Sequence, residues 1–234
     1  IDRFSDIRSL IMMQNGAVMQ NGTQVAFNLI PTAAQNANYN PGLAALRFYT
    51  DFANPIKEVY SWNNSLPNSL ESFISGNLGI MFGYSYQLPI IKAQAPKLNF
   101  SVAKMPQIEG APADVNFANY WVETVSKKTT HANEAWDFIQ FAASADNVKS
   151  YLNKTKKPSA LRSLLKDQRA DEEIGIFADQ VLTAKSWYKG YNPAVAERSI
   201  GEMVDAVLLN PDEAKILEAL NLGAGKVQQT VDGR

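Results

Sequence analysis

Cysteine is absent from this 234-residue sequence, which excludes thiol nucleophiles, thiolate metal sites and a disulfide framework. Histidine occurs once, as His131, in the first turn of an amphipathic segment after Thr130. No Ser-His or Cys-His pair can be built around it, and a solvated first-turn residue is the simpler reading. Clustered metal ligands are also lacking. The nearest run, Asp171-Glu172-Glu173, falls in a first helical turn, where acids complement the helix dipole, so no metal or cofactor is expected. Neither GxGxxG nor GxxxxGK[ST] occurs, which leaves nucleotide phosphates without a cradle. Charge of one sign is missing too: 22 Lys and Arg face 23 Asp and Glu, so no net field draws the chain to nucleic acid or an anionic membrane. No apolar run approaches the length of a membrane span. The sequence opens at Ile1 without a methionine or signal-like segment, which reads as a fragment of a longer protein.

What is present is a large apolar fraction, 46% of residues, enough to fill the core of one large or two small domains. The most ordered pattern is SLPNSLESFISGNLGIMFGYSYQ, from Ser65 to Gln87. Ser65 can cap a helix in which Leu66, Leu70, Phe73 and Ile74 share a face, and Gly76 stops it. Leu78, Ile80, Met81 and Phe82 then form an apolar run too short for a helix, which predicts a central strand covered on both faces in an α/β fold. Gly83 ends that strand, and Tyr84, Ser85 and Tyr86 follow at its carboxyl end, where α/β sheets collect ligands.

Taken from the start, Asp2 can cap a well-buried helix with Phe4, Ile7 and Ile11 on one face. Residues 15–40 read as a loop around one short strand near Val25 to Ile30. Pro41 opens a helix with Ala45, Phe48, Tyr49 and Phe52 on one face, whose expected partner is the Ser65 helix. Leu88, Ile91 and Ala95 mark another helix, Phe100 alternates with Val102 in a strand, and residues 107–119 read as a crossover or hinge. A strand from Tyr120 to Val125 precedes helices capped by Thr130 and Ser144. Beyond Ala160 the pattern is helical except for SWYKGYNP at 186–193, with Asn192-Pro193 and Asn210-Pro211 restarting helices.

Aromatics beside amides recur where regular elements end: Trp62-Asn63-Asn64, Tyr84-Ser85-Tyr86, Asn119-Tyr120-Trp121, and Trp187-Tyr188 with Tyr191-Asn192. Flat rings cover the apolar faces of pyranoses while amides and hydroxyls meet the sugar hydroxyls, so the set suits a neutral carbohydrate. The competing reading for each cluster is a core aromatic that happens to end a strand.

The run SLPNSLESFISGNLGIMFGYSYQLP resembles the "helix, F-x-x-G, apolar strand, G-aromatic" segment of the family 1 extracellular solute-binding proteins, the maltose-binding-protein-like receptors of ABC importers. ANYWVETVSKKTTHANEAWDFIQFAAS is similar to that family's strand and helix, with its W-x-x-x-V-S-K and E-A-W-x-F-I-x-F elements. DAVLLNPDEAKILEAL resembles its closing helix pair. The resemblance covers the chain from about Pro41 and implies the two-lobed, type II periplasmic-binding-protein-like α/β fold, with ligand held between lobes. It further implies that residues 1–108 and 164–234 form the C-terminal lobe, and that 109–163 form a crossover and part of an N-terminal lobe whose first portion is lacking. Gly110 to Asn116 would be a hinge strand. The motif-matched aromatics are Tyr84 and Tyr120-Trp121. Where the family often has tryptophan after the glycine, this chain has Tyr84-Ser85-Tyr86, so either tyrosine can be the stacking residue.

The function implied is capture of a sugar or oligosaccharide and its delivery to an ABC transporter permease, by a periplasmic or extracellular monomer that an intact precursor could anchor as a lipoprotein. Tyr84, Tyr86, Asn119, Tyr120, Trp121, Trp62 and Trp187 are the candidate ligand-binding residues. A secreted glycoside hydrolase is the alternative. It needs two carboxylates at a fixed separation, and only Glu123 and Asp114 lie near the aromatic segments, with no evident pairing.

Overall fold

The computed structural model describes residues 3–233. Helix α1 spans Phe4–Gln14 and is followed by the short strands β1, Gln20–Asn21, and β2, Gln24–Val25. A 3-10 turn, Thr32–Ala37, leads to α2, Pro41–Asp51. Next come α3, Ser69–Ile74, α4, Gln87–Gln94, and strand β3, Asn116–Phe117. Four helices follow: α5, Ala132–Ala142, α6, Ala145–Thr155, α7, Arg162–Arg169, and α8, Gly175–Gln180. Strand β4, Ala184–Lys185, precedes the long helices α9, Pro193–Leu209, and α10, Glu213–Val231. β1 and β2 form an antiparallel hairpin, Gln20 opposite Val25 and Asn21 opposite Gln24, and β3 pairs with β4.

The chain divides into two compact units. Unit one holds the described residues up to Asn68, Gln107–Phe117, and those from Lys185 onward; unit two holds Ser69–Pro106 and Ala118–Ala184. These cuts fall elsewhere than the lobe boundaries expected at 108/109 and 163/164.

Unit one is organised on α9 and α10, which pack along each other and receive α1, α2 and β2. The sequence reason is periodicity: Ala196, Ile200, Met203 and Val207 on α9 face Ile216, Ala219, Leu220, Ala224 and Val227 on α10, all buried. Gly223 permits the approach, since a Cβ there would lie 2.1 Å from Met203 Sδ. Helix α9 begins at the expected Asn192-Pro193, whereas α10 begins beyond the expected Asn210-Pro211, capped by Asp212. Asn192 Oδ1 accepts from Val195 N at 3.3 Å, and Asp212, one residue beyond Asn210-Pro211, accepts from Ala214 N at 3.2 Å. Asn40 does the same for α2, accepting from Leu43 N at 3.0 Å just ahead of Pro41.

Two expectations for this unit need correcting. The first helix is well buried, but by its polar residues as well: Asp6, Arg8 and Ser9 are each no more than 2% exposed, whereas Phe4, Ile7 and Ile11 are only half-buried. Lys189 makes this possible by reaching Asp6 at 3.3 Å and Glu197 at 2.8 Å, while Arg3 Nε holds Asp6 at 2.8 Å. The expected cap Asp2 lies outside the described residues. On α2, Ala45 and Leu46 are buried against α1, α9 and α10, while Phe48 is exposed and stacks edge-on against Phe52 at 5.2 Å. The helix expected from Ser65 starts only at Ser69 and belongs to unit two, whereas α2 belongs to unit one.

Unit two has a small core in which Leu165, Ile174 and Ala178 pack with Phe177 and Val181. Leu88 and Ile91 of α4 and Leu152 of α6 are also buried. The runs Leu78–Phe82 and Tyr120–Val125, expected as buried strands, are irregular, with Ile80 77% and Val122 71% exposed. A strand exists only through ladder partners, and among the described residues neither run has one. The segment around Phe100 has no ladder partner either, although Leu98, Phe100 and Val102 still alternate half-buried with exposed neighbours, and Phe100 meets Phe73 edge-on at 5.8 Å. Helix α5 is as amphipathic as its sequence suggests, yet none of its residues is buried; Phe138 and Phe141 are exposed.

Candidate ligand-binding site

The turn after Gly83 is the most tightly built of the aromatic clusters. The rings of Tyr84 and Tyr86 stack 17° from parallel with centroids 5.9 Å apart, an offset pair rather than an edge contact. Tyr86 is exposed and Tyr84 half-buried, whereas Ser85 between them is buried. Two reciprocal bonds pin the turn to α4. Tyr84 N donates to Gln87 Oε1 at 2.9 Å, and Gln87 N donates back to Tyr84 O at 3.0 Å. Leu88 N adds a bond to Ser85 O at 3.1 Å. Gln87, the first residue of α4, thus reaches back with its side chain to the backbone N–H three residues before it, as the glutamine or glutamate of a capping box does. Gly83 leaves room for it, because a Cβ there would lie 2.4 Å from Gln87 Oε1. Gln87 was not among the sequence candidates; the Tyr-x-x-Gln spacing ahead of the apolar α4 was the signal that could have found it.

Asn119, Tyr120 and Trp121 lie in unit two as well, on an irregular and open stretch. Trp121 is 92% exposed, so its ring is not a core residue. The remaining two candidates belong to unit one. Trp62 is half-buried, and its backbone N–H donates to Phe52 O at 3.1 Å. Trp187 packs on the unit-one core, donating from Nε1 to Ser9 Oγ at 3.0 Å and meeting Phe27 edge-on at 6.1 Å. Its indole N–H is therefore already spent inside unit one.

The catalytic alternatives gain nothing from the geometry. His131 is exposed, 4.0 Å from Glu134. Asp114 and Glu123 are both exposed. Asp171 serves the turn ahead of α8: its Oδ1 accepts from Glu173 N at 2.8 Å and Ile174 N at 3.1 Å. Those two backbone bonds, with Lys156 nearby, hold its carboxyl below the ordinary value. Among the described residues no group of His, Asp or Glu could hold a metal, and no helix is long and apolar enough to cross a membrane.

A helix-rich α/β chain of two units with small sheets and open aromatic turns falls in the periplasmic-binding-protein-like fold class. More specifically, the chain belongs to the bacterial extracellular solute-binding proteins, whose family pattern it matches over residues 10–176. Two solved structures share the fold. One is an ABC transporter solute-binding protein from Thermotoga lettingae TMO bound with α-D-tagatose, with 18% identity and a TM-score of 0.65, covering 96% of this chain and 55% of that one. The other is a protein from Synechococcus sp. MITs9220 named for oligosaccharide periplasmic binding, with 17% identity and a TM-score of 0.64, covering 100% of this chain and 60% of that one. The chain thus spans somewhat more than half the length of either. No curated protein matches it.

Proposed function

We propose that this protein captures a sugar or oligosaccharide outside the cytoplasm or in the periplasm and hands it to the membrane permease of an ABC transporter. The reading is carried by one observation: a member of the solute-binding family presents two stacked tyrosine rings, Tyr84 and Tyr86, on a turn held by buried Gln87. Stacked, partly open rings match the apolar face of a pyranose. Trp121, nearly fully exposed in the same unit, is the second aromatic anchor, with Asn119 and Tyr120 beside it as polar partners for sugar hydroxyls. Trp62 and Trp187 are the weaker members of the proposed set. The names of the two solved neighbours, one with tagatose and one named for oligosaccharides, support the same ligand class.

The protein acts by binding and not by turnover, and it acts as a monomer, in its intact precursor with or without a lipid anchor. Thermal shift with a panel of mono- and oligosaccharides tests the binding, because a ligand of the folded state raises the melting temperature by mass action. A rise with neutral sugars and none with amino acids or nucleotides is expected; no rise with any sugar overturns the reading. Reporter glycosides are expected to stay intact, and their hydrolysis would favour the hydrolase alternative. Light scattering behind size exclusion reads the oligomeric state.

A further inference from the structure

We infer that Gln87 is a positioning residue for the Tyr84–Tyr86 pair, setting the affinity of the turn for a sugar through the tyrosines; the affinity part rests on the sugar-binding reading above. Gln87 sits under the turn, 7% exposed, with its Oε1 on Tyr84 N at 2.9 Å. Burying an amide side chain is unfavourable unless its polar atoms are paired, and the partner here is the backbone of the residue that carries the first ring. The return bond from Gln87 N to Tyr84 O closes the clasp, and Ser85, 6% exposed, is anchored by Leu88 N at 3.1 Å. The backbone is thus held at Tyr84 and at Ser85, the two residues that lead into Tyr86. Gly83 belongs to the same device, since a side chain there would drive into Gln87 Oε1.

A ring pair whose backbone is already set loses less conformational freedom when a ligand covers it, which is how a residue can tune affinity through another. Glutamate keeps the acceptor that the clasp uses, whereas methionine keeps the length and removes it. A role confined to starting α4 would change the melting temperature but would leave the tyrosine ring pair and the affinity per folded molecule unchanged.

The experiment uses the whole chain labelled with 15N- and ring-13C-tyrosine, which gives nine tyrosine amide signals. Tyr84→Phe assigns the Tyr84 amide, and Tyr84→Leu supplies the Tyr86 ring shift without its neighbour. In Gln87→Met the Tyr84 amide is expected to exchange about tenfold faster, as for an amide that loses its protecting acceptor, and the Tyr86 ring protons to move toward the Tyr84→Leu position. Affinity for maltotriose or D-tagatose, measured by calorimetry, is expected to fall roughly fivefold, the effect of one neutral hydrogen bond, and Gln87→Glu to restore all three. Should Gln87→Met not fold, Gly83→Ala displaces the same oxygen and is read in the same way. Unchanged exchange and ring shifts in these variants overturn the inference, as does a Gln87→Glu variant no better than Gln87→Met. A wild-type chain that binds neither sugar counts against the sugar reading alone, and the exchange and ring-shift measurements still decide the clasp.

Discussion

Arg8 of α1 donates from Nη1 to the main-chain carbonyl of Ile200 in α9, 192 residues away. Arg8 is 2% exposed, its guanidinium lies 5.9 Å from the centroid of the Tyr49 ring, and its Nη2 has no hydrogen-bond partner among the described residues. One cation thereby joins α1, α2 and α9 inside unit one, at the cost of a buried donor that none of the described residues satisfies.

That imbalance sets the outcome of two substitutions. Arg8→Met keeps the volume and removes the unsatisfied donor, so stability is expected to stay within about 1 kcal/mol of wild type, whereas Arg8→Ala leaves a cavity and is expected to cost about 2–5 kcal/mol. Burial lowers the Arg8 guanidinium from its ordinary value to about 10. Between those values the unfolded chain holds a proton that the folded one has released, so stability rises with pH relative to Arg8→Met. Burial raises the Tyr49 hydroxyl and works in the opposite direction, so the comparison is made in a Tyr49→Phe background by urea denaturation at pH 9 to 11.

Two glycines separate backbone need from helix propensity. Gly190 has φ +83°, and a Cβ there would lie 2.2 Å from Thr230 Oγ1 and 2.5 Å from its carbonyl carbon. Neither contact can yield, because Thr230 Oγ1 is bound to Lys189 O at 2.9 Å and Tyr191 N to Thr230 O at 2.9 Å. Gly190→Ala is therefore expected to lower stability by more than about 2 kcal/mol. Gly225, exposed in α10 with open space around its Cβ position, is expected to gain roughly 0.5–1 kcal/mol on replacement by alanine. A single pair of thermal melts decides both.

Asp171 allows a test in unit two. Its depressed carboxyl comes first from the backbone bonds of Glu173 and Ile174, then from Lys156. A group held below its unfolded value contributes stability above that value and loses it as pH falls through the folded one. Asp171→Ala is expected to cost about 1 kcal/mol at pH 7, as for loss of a capping carboxylate. The deficit should shrink below the ordinary value of 3.8. A difference between the two proteins that is independent of pH would contradict this account.

Legibility in the sequence followed the range of the interactions. The caps Asn40 and Asn192 act within three residues, and the α9 and α10 stripes repeat within one helix, so these elements could be read directly, with the start of α10 displaced to the cap Asp212. Leu78–Phe82 and Tyr120–Val125 carry strand-like composition, but the ladder that makes a strand comes from elsewhere, and period alone cannot supply it. The burial of Asp6 was hidden for the same reason, since Lys189 and Glu197 lie far along the chain. At the site, Tyr84 and Tyr86 stood out as residues, whereas their clasp by Gln87 was overlooked although it is local.

Trp121 separates a ligand-facing ring from a core ring most directly. At 92% exposed it has almost no burial to lose, so Trp121→Ala is expected to leave stability within about 0.5 kcal/mol, as for surface substitutions. A core tryptophan would cost about 3–5 kcal/mol instead. If the ring covers a sugar, the same change is expected to weaken binding by on the order of 1–3 kcal/mol. Tyr86→Ala should behave alike, with a further loss of about 0.5–1.5 kcal/mol of stability from the broken stack with Tyr84. Melting temperature without ligand and calorimetric affinity for the sugar that gives the largest thermal shift, measured on the same preparations, decide the matter. Unchanged affinity in both variants would remove Trp121 and Tyr86 from the site and leave Trp62 as the next aromatic to truncate, because Trp187 is already engaged with Ser9 and Phe27.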